Sequence, residues 1–140
     1  MRVVLDTNVL VSGIFFAGVP GQILDAWAHG KFLLIATPSI FAEYEEVCRR
    51  LHARFPSIEF DGVLVALLRG ARIVADPDPG PPISRDPDDD VFLRCALATR
   101  SVVVSGDGDL LEQDGWSGVS VLSPRDFLKE LGGSRRREGH

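Results

Sequence analysis

Residues 3–10 decide the fold, and they read VVLDTNVL. The first three are apolar and do not alternate with polar residues, which predicts a short strand that is buried on both faces. Asp6 follows this strand directly. A single carboxylate at the end of a strand is more often a turn or capping residue than part of a site. Asp6 therefore needs acidic partners before it indicates a function.

Similar apolar runs recur along the chain and alternate with segments that have helical patterns. The further strands are predicted at residues 32–36, 72–74, 102–104 and 119–122. The helices between and after them are predicted at residues 22–28, 37–51, 58–69, 88–99 and 123–131, with a helical turn at 109–112. Short strands that are apolar on both faces and alternate with helices predict a parallel α/β sheet. Ligands of such sheets bind beyond the carboxyl ends of the strands, at a topological switch point.

The composition is that of an ordinary globular domain. The chain has 140 residues, of which 45% are hydrophobic and 25% are charged. No apolar run reaches the length of a membrane span, and Asp6 and Asn8 interrupt the run that would otherwise resemble a secretion signal. The two cysteines, Cys48 and Cys95, lie in apolar helical patterns, as buried thiols in a reducing compartment do. We therefore expect a cytoplasmic protein with no membrane partner.

Carboxylates gather at the predicted ends of strands. Asp107 and Asp109 follow the fourth strand, and the helix before that strand begins with four acids within residues 86–90. The helix after the second strand carries Glu43, Glu45 and Glu46. Because parallel strands present their carboxyl ends at one edge, these segments and Asp6 should meet there.

Helical geometry sorts these acids only in part. Glu46 points away from the apolar stripe of its helix, whereas Glu43 and Glu45 lie on opposite margins, and geometry alone does not choose between them.

In the later helix, Asp90 shares a side with Leu93 and Leu97, which predicts that it faces the sheet. Asp86 is better explained as an N-cap, and residues 88–89 as acids favoured by the helix dipole.

A cluster of carboxylates favours metal-dependent chemistry. Neighbouring carboxylates raise one another's pKa, at a cost of about 1.4 kcal/mol per unit. Bound Mg²⁺ or Mn²⁺ offsets this repulsion and can hold a phosphodiester while lowering the pKa of an attacking water. Cations also answer the net charge of −5, which is the wrong sign for holding nucleic acid by bulk electrostatics.

Five stretches carry a resemblance to a known family. They are LDTNVL (5–10), TPS (37–39) leading to Glu43, RDPDDDVFL (85–93), VSGDGDLL (104–111) and SPRDFL (123–128). In this order, over residues 1–131, the sequence resembles the PIN-domain family, and most closely the toxin components of prokaryotic toxin–antitoxin pairs.

The resemblance implies a three-layer α/β/α fold with a central five-stranded parallel sheet. It implies a Mg²⁺- or Mn²⁺-dependent endoribonuclease that hydrolyses RNA with metal-activated water. The nuclease domain would span residues 1–131, followed by a disordered basic tail at 132–140. RNA would be the substrate, and the further partners would be a second copy of the chain and a small antitoxin that blocks the acidic groove.

The site residues carry over by position from the family. The acids that bind metal and act in catalysis would be Asp6, Glu43, Asp90 and Asp107. Asp109 resembles an auxiliary metal ligand, and Thr7, Asn8 and Ser105 resemble polar residues that orient the acids. The surface that docks RNA is not identified by the resemblance, and the candidate arginines are Arg49, Arg50, Arg54, Arg85 and Arg94.

Two other functions are weighed against this hypothesis. A Mg²⁺-dependent phosphatase of the haloacid-dehalogenase type would use Asp6 as a covalent nucleophile, but it needs a general acid two residues later, where Asn8 stands. A catalytically silent PIN-like module that binds RNA or protein would be expected to lack one of the acids, and all four positions are filled.

Overall fold

The computed structural model describes the backbone of residues 1–138 and the side chains of residues 1–133. The strands are β1 (Arg2–Leu5), β2 (Leu33–Ala36), β3 (Arg72–Ile73), β4 (Val102–Val104) and β5 (Val121–Leu122). The helices are α1 (Thr7–Phe15), α2 (Gly18–Ala28), α3 (Pro38–Arg54), α4 (Asp61–Gly70), α5 (Pro87–Thr99), α6 (Gly108–Leu111) and α7 (Pro124–Glu138). A turn of 3₁₀-helix, Trp116–Gly118, precedes β5.

The five strands form one parallel sheet in the order β3-β2-β1-β4-β5. The sheet and its helices make the three-layer α/β/α fold that the sequence predicts. From β1 the chain proceeds outward through β2 to β3, and it then returns across β1 to add β4 and β5 on the other side. The strand order reverses between β1 and β4, so the switch point lies beside Asp6.

The central strand, β1, pairs with β2 on one edge and with β4 on the other, and α3 also contacts it. Val3, Val4 and Leu5 are fully buried, which explains the apolar run with no polar alternation. The buried hydroxyl of Tyr44 in α3 donates a hydrogen bond to the carbonyl oxygen of Leu5. This bond fixes the end of β1 against α3, one residue before Asp6 and one residue after Glu43.

Three predicted N-caps are confirmed, and each precedes a proline in the first turn of its helix. The Ile40 amide donates to Thr37 Oγ1 at 3.2 Å, the Asp88 amide to Asp86 Oδ1 at 3.0 Å, and the Asp126 amide to Ser123 Oγ at 3.2 Å. Proline suits this position because the helix needs no amide donor there.

Two helix boundaries differ from the sequence prediction. The second helix begins at Gly18 rather than residue 22, because Ala17 and Gly18 both take positive φ and complete the turn before it. The last helix runs to Glu138, although Leu131 is its predicted end. Two successive glycines at 132–133 lower helix propensity by about 1 kcal/mol each without breaking the backbone hydrogen bonds. Residues 139–140 of the predicted tail lie outside the described residues.

Among the described residues no single helix is long and apolar enough to cross a membrane. Helices α1 and α2 reach the necessary length and composition only together, as a pair bent by 94°.

Candidate active site

The site begins where β1 and β4 end side by side. The Asp6 amide donates to the carbonyl oxygen of Val104 at 3.0 Å, which extends the pairing of the two strands by one residue. The buried Ser105 hydroxyl donates to Asp6 Oδ2 at 2.7 Å and accepts from the Asp107 amide at 2.9 Å. Ser105 therefore joins the two strand ends and fixes Asp6, which is only 4% exposed.

A cavity of ≈ 360 Å³ opens at this junction. Its lining includes Asp6, Thr7, Asn8, Glu43 and Asp107, five of the residues that the sequence singles out. The remaining lining residues are Val47, Arg50, Leu51, Asp86, Asp88, Asp89 and Phe92. Carboxylates from four segments of the chain therefore meet at the carboxyl edge of the sheet.

The structure settles which glutamate of α3 faces the cavity. Glu43 lines it, whereas Glu45 lies on the outer surface and forms an ion pair with Arg49, one turn further along the helix. The Thr7 hydroxyl is buried without a hydrogen-bond partner among the described residues. It lies near enough to Glu43 to favour the ionised form of that carboxyl.

Asp90, which the sequence places in the site, does not line the cavity. Its carboxylate accepts hydrogen bonds from the amides of Ile83 and Ser84 at 3.1 and 2.8 Å, and from the Ser84 hydroxyl at 2.9 Å. Arg94 lies 4.0 Å from Asp90 Oδ2 and also donates to the carbonyl oxygens of Gly80 and Pro81. Asp90 and Arg94 thus fix the proline-rich loop before α5, residues 76–84, against that helix. Asp90 therefore makes a structural contact and does not lie in the site where the sequence predicts it.

Asp89 takes the place that was predicted for Asp90. It lines the cavity, and it shares a helical side with Phe92 and Ala96, both of which are fully buried. The sequence prediction was misled by Leu97, which is 44% exposed and does not mark the buried face. The spacing of Asp89 from Phe92 and Ala96, at i+3 and i+7, was the signal that could have made it a candidate beside Asp90.

Burial and the charge of neighbouring carboxylates raise the pKa values of Asp6, Glu43 and Asp89. Burial raises the pKa of Asp6, and the charge of Asp107 adds to this, while the Ser105 hydroxyl and the amides of Thr7 and Asn8 oppose it. Burial is also the main cause of the raised pKa of Glu43, with a further contribution from Asp6.

The pKa of Asp89 rises to about 7, because burial and the charge of Asp107 both disfavour its ionised form. Burial alone would raise the pKa of Asp90 too, but the hydrogen bonds from Ser84 and Ile83 and the charge of Arg94 lower it overall. Burial and repulsion thus outweigh the hydrogen bonds at Asp6, Glu43 and Asp89, whereas hydrogen bonds and Arg94 outweigh burial at Asp90.

The donor set fits a divalent cation. Asp89, Asp107 and Asp109 each offer a carboxylate oxygen, and these oxygens lie within 4.8 Å of one another. Asp89 Oδ2 is buried and has no hydrogen-bond partner among the described residues. An ionised carboxylate with a buried oxygen that accepts no hydrogen bond is costly, and a bound cation would offset that cost. Oxygen ligands of this kind are those that hard cations prefer.

Comparison with known proteins gives two findings. The family described as PIN domain matches residues 2–109, which cover β1 through the start of α6. An uncharacterized protein of Methanocaldococcus jannaschii is 26% identical over an alignment of 142 positions, which covers 94% of this chain and 92% of that protein.

Proposed function

The chain belongs to the PIN-domain family, and on that premise we propose that it is a Mg²⁺- or Mn²⁺-dependent endoribonuclease. PIN domains are typically metal-dependent nucleases. The observation that carries the proposal is the convergence of Asp6, Glu43, Asp89 and Asp107 on one cavity, with Asp109 beside it. The arrangement suits phosphodiester hydrolysis, because it offers carboxylates that could bind a cation and a separate glutamate, Glu43, that could accept a proton.

The acids divide into three roles in this mechanism. Asp89, Asp107 and Asp109 would hold the cation, and Asp6, oriented by the Ser105 hydroxyl, would add a further negative charge beside it. When bound, the cation lowers the pKa of an attacking water and stabilises the charge that develops on the phosphate. Glu43 would act as the general base that accepts the proton of the attacking water, because its raised pKa brings it closer to the range in which a general base works at neutral pH.

A cleavage assay on labelled RNA tests this function. We expect the native protein to cut RNA with Mg²⁺ or Mn²⁺, and we expect Asp6→Asn and Glu43→Gln to lose that activity. Glu45→Gln is the matched control, because Glu45 is on the same helix but faces outward. Cleavage that persists in EDTA, or that is equal in all three variants and the native protein, contradicts the mechanism.

We further propose that the protein is the toxin of a toxin–antitoxin pair, acts in the cytoplasm as a homodimer, and is held inactive by a small antitoxin. These proposals rest on the resemblance to such toxins. Induced expression should stop bacterial growth, and Asp6→Asn should relieve the arrest. Light scattering of the purified protein reports whether it is a dimer. Growth that is unaffected by the native protein, when cleavage is seen in vitro, argues against the toxin role alone.

A further inference from the structure

The structure separates the five candidate arginines by what they contact. Arg94 is used to tie down the loop, Arg49 pairs with Glu45, and Arg85 lies 3.8 Å from Glu112. Arg50 and Arg54 are exposed, and within the described part of the chain they make no ion pair and no side-chain hydrogen bond. These two are therefore available for a ligand with negative charge.

Arg50 and Arg54 extend one face of α3 that starts in the acidic cavity. Glu43, Val47, Arg50 and Leu51 all line the cavity, at successive turns of the helix. Arg54 follows Arg50 at i+4 and so lies on the same face, about 6 Å further along the axis. The face is acidic at Glu43 and basic at Arg54. A polyanion could bind along the basic part of this face and reach a cation bound in the acidic cavity.

The basic end of this face meets an exposed pair of aromatic rings. Phe16, at the end of α1, is 56% exposed, and Phe55, at the end of α3, is 37% exposed. Their ring centroids are 5.3 Å apart in an edge-to-face arrangement, and Arg54 Cζ lies 5.9 Å from the Phe55 centroid. Phe16 also contacts the buried Phe15, which anchors the pair. We call Phe16 and Phe55 the aromatic platform.

We propose that single-stranded RNA runs from the acidic cavity along α3, with Arg50 and Arg54 contacting phosphates and one base stacking on the aromatic platform. The inference rests on the proposed ribonuclease function and assigns the surface of this chain that holds the RNA outside the cavity. Exposed aromatic rings beside arginines are the usual means of holding unpaired bases, because every base has a face that can stack. A duplex does not present such faces, so the platform selects against it.

The continuity of Arg50 and Arg54 with the acidic cavity favours RNA over a protein as the occupant, because a polyanion that reaches the cation site along this face passes both arginines. The chain carries a net charge of −5, so the bulk of its surface repels a polyanion. Arg50 and Arg54, which make no ion pair among the described residues, supply local positive charge next to the exposed rings.

Fluorescence anisotropy with a labelled 12-nucleotide single-stranded RNA tests the proposal. Binding is measured with Mg²⁺ in a Glu43→Gln background, so that the RNA stays intact. We expect Phe16→Leu and Phe55→Leu each to weaken binding about tenfold, since stacking of a base on a ring is lost. Phe55→Tyr keeps the ring and should bind as the parent does.

We expect Arg50→Gln and Arg54→Gln to weaken binding and to lower the slope of log affinity against log salt by about 0.7 each, the value for one phosphate of a single strand. Arg69→Gln and Leu68→Ala, exposed residues on α4, are the matched controls and should bind as the parent does. The same RNA in duplex form should bind more weakly than the single strand.

Affinity that is unchanged in both leucine variants overturns the proposal. So does a loss of self-association in those variants, by light scattering, with RNA affinity unchanged, because the platform is then a protein interface. The outcome is separable from that of the proposed function. If the variants weaken binding as expected but the native protein cuts no RNA, the binding path stands and the nuclease function fails. If the native protein cuts RNA but neither binding nor cleavage depends on the aromatic platform or on Arg50 and Arg54, the nuclease function stands and the binding path fails.

Discussion

Asp89 and Asp90 are adjacent acids whose surroundings have opposite effects on stability. They are about 100° apart around α5, which turns one toward the cavity and the other toward the proline-rich loop. Asp89 has a buried oxygen without a partner, and Asp90 accepts three hydrogen bonds. Two adjacent residues of one helix thus differ in role: Asp89 faces the cavity with an unpaired oxygen, and Asp90 stabilises the fold through its hydrogen bonds.

We predict that Asp89→Asn stabilises the cation-free protein at neutral pH. The pKa of Asp89 is about 7 in the folded protein and 3.8 ordinarily, so the fold favours the protonated form. That contribution is fully present below pH 3.8 and is lost as the pH rises to about 7. The variant should gain stability over the native protein progressively across this window. Urea unfolding in EDTA, from pH 4 to pH 7.5, measures the difference, and a gain that does not depend on pH would argue against it.

Asp90→Asn is the matched control and should have the opposite effect. The amide keeps one acceptor but turns an NH₂ group toward backbone donors, and we expect a loss of about 1–3 kcal/mol at neutral pH. Because the pKa of Asp90 is lowered, its contribution is present above 3.8 and is lost as the pH falls through the folded value. The loss should therefore shrink in acid, in the same urea titration.

At the scale of elements, the turn from β4 to α6 couples the two strand ends through one hydroxyl. Ser105 is fully buried, and among the described residues its hydroxyl forms hydrogen bonds only with the Asp6 carboxylate and the Asp107 amide. The turn itself continues into α6, where the Asp109 amide donates to Asp107 Oδ1 at 2.9 Å. Ser105 is thus a positioning residue that orients Asp6 and the turn carrying Asp107.

We predict that Ser105→Ala lowers RNA cleavage about 10- to 100-fold, the usual effect of removing a residue that orients a ligand. Ser101→Ala is the matched control at the other end of β4, where a buried serine hydroxyl contacts Thr99 at 2.6 Å. It should change stability without a comparable loss of cleavage. Equal losses of activity in the two variants, at equal stability, would contradict the role of Ser105.

Local signals in the sequence were sufficient for most elements but not for the rotation of α5. Strands show as unbroken apolar runs, and Thr37, Asp86 and Ser123 mark helix starts because caps act within three residues. Which side of α5 faces the cavity depends on packing against β1 and β4, and on the loop at 80–84 that covers Asp90. The strand contacts are not local in sequence. The spacing of Asp89 from Phe92 and Ala96 is matched by that of Asp90 from Leu93 and Leu97, so the local pattern alone does not choose between the two acids.

For the whole molecule, the acidic cavity links stability to cation concentration. A cation that binds only the folded state stabilises it by RT ln(1 + [L]/Kd), or about 2.7 kcal/mol at one hundred times Kd. We predict that Mn²⁺ raises the melting temperature of the native protein at pH 7.5, whereas Asp89→Asn shows a smaller rise. Calorimetric scans with and without Mn²⁺ measure this, and an equal rise in both proteins would place the bound cation elsewhere.

The overall acidity of the chain shows what whole-molecule properties can and cannot predict. Taken alone, a net charge of −5 argues against the binding of nucleic acid. The objection is removed once the carboxylates are placed together at strand ends, because cations can bind there. The parallel sheet was predictable from the strands, and so was a site at the switch point, since chain direction fixes which ends meet. The absence of ion pairs at Arg50 and Arg54 could not be predicted from the sequence, because it depends on which carboxylates lie within reach after folding.

The hydrogen bond between Ser105 and Asp6 joins residues that are 99 positions apart. On a translating ribosome, Asp6 emerges long before its partners, and the last acids of the cavity follow only after β4 has been synthesised. Under the proposed ribonuclease function, an incomplete nascent chain has no assembled cavity with which to cut the message that encodes it. The strand order that places β1 beside β4 delays assembly of the cavity until translation of the domain is nearly finished.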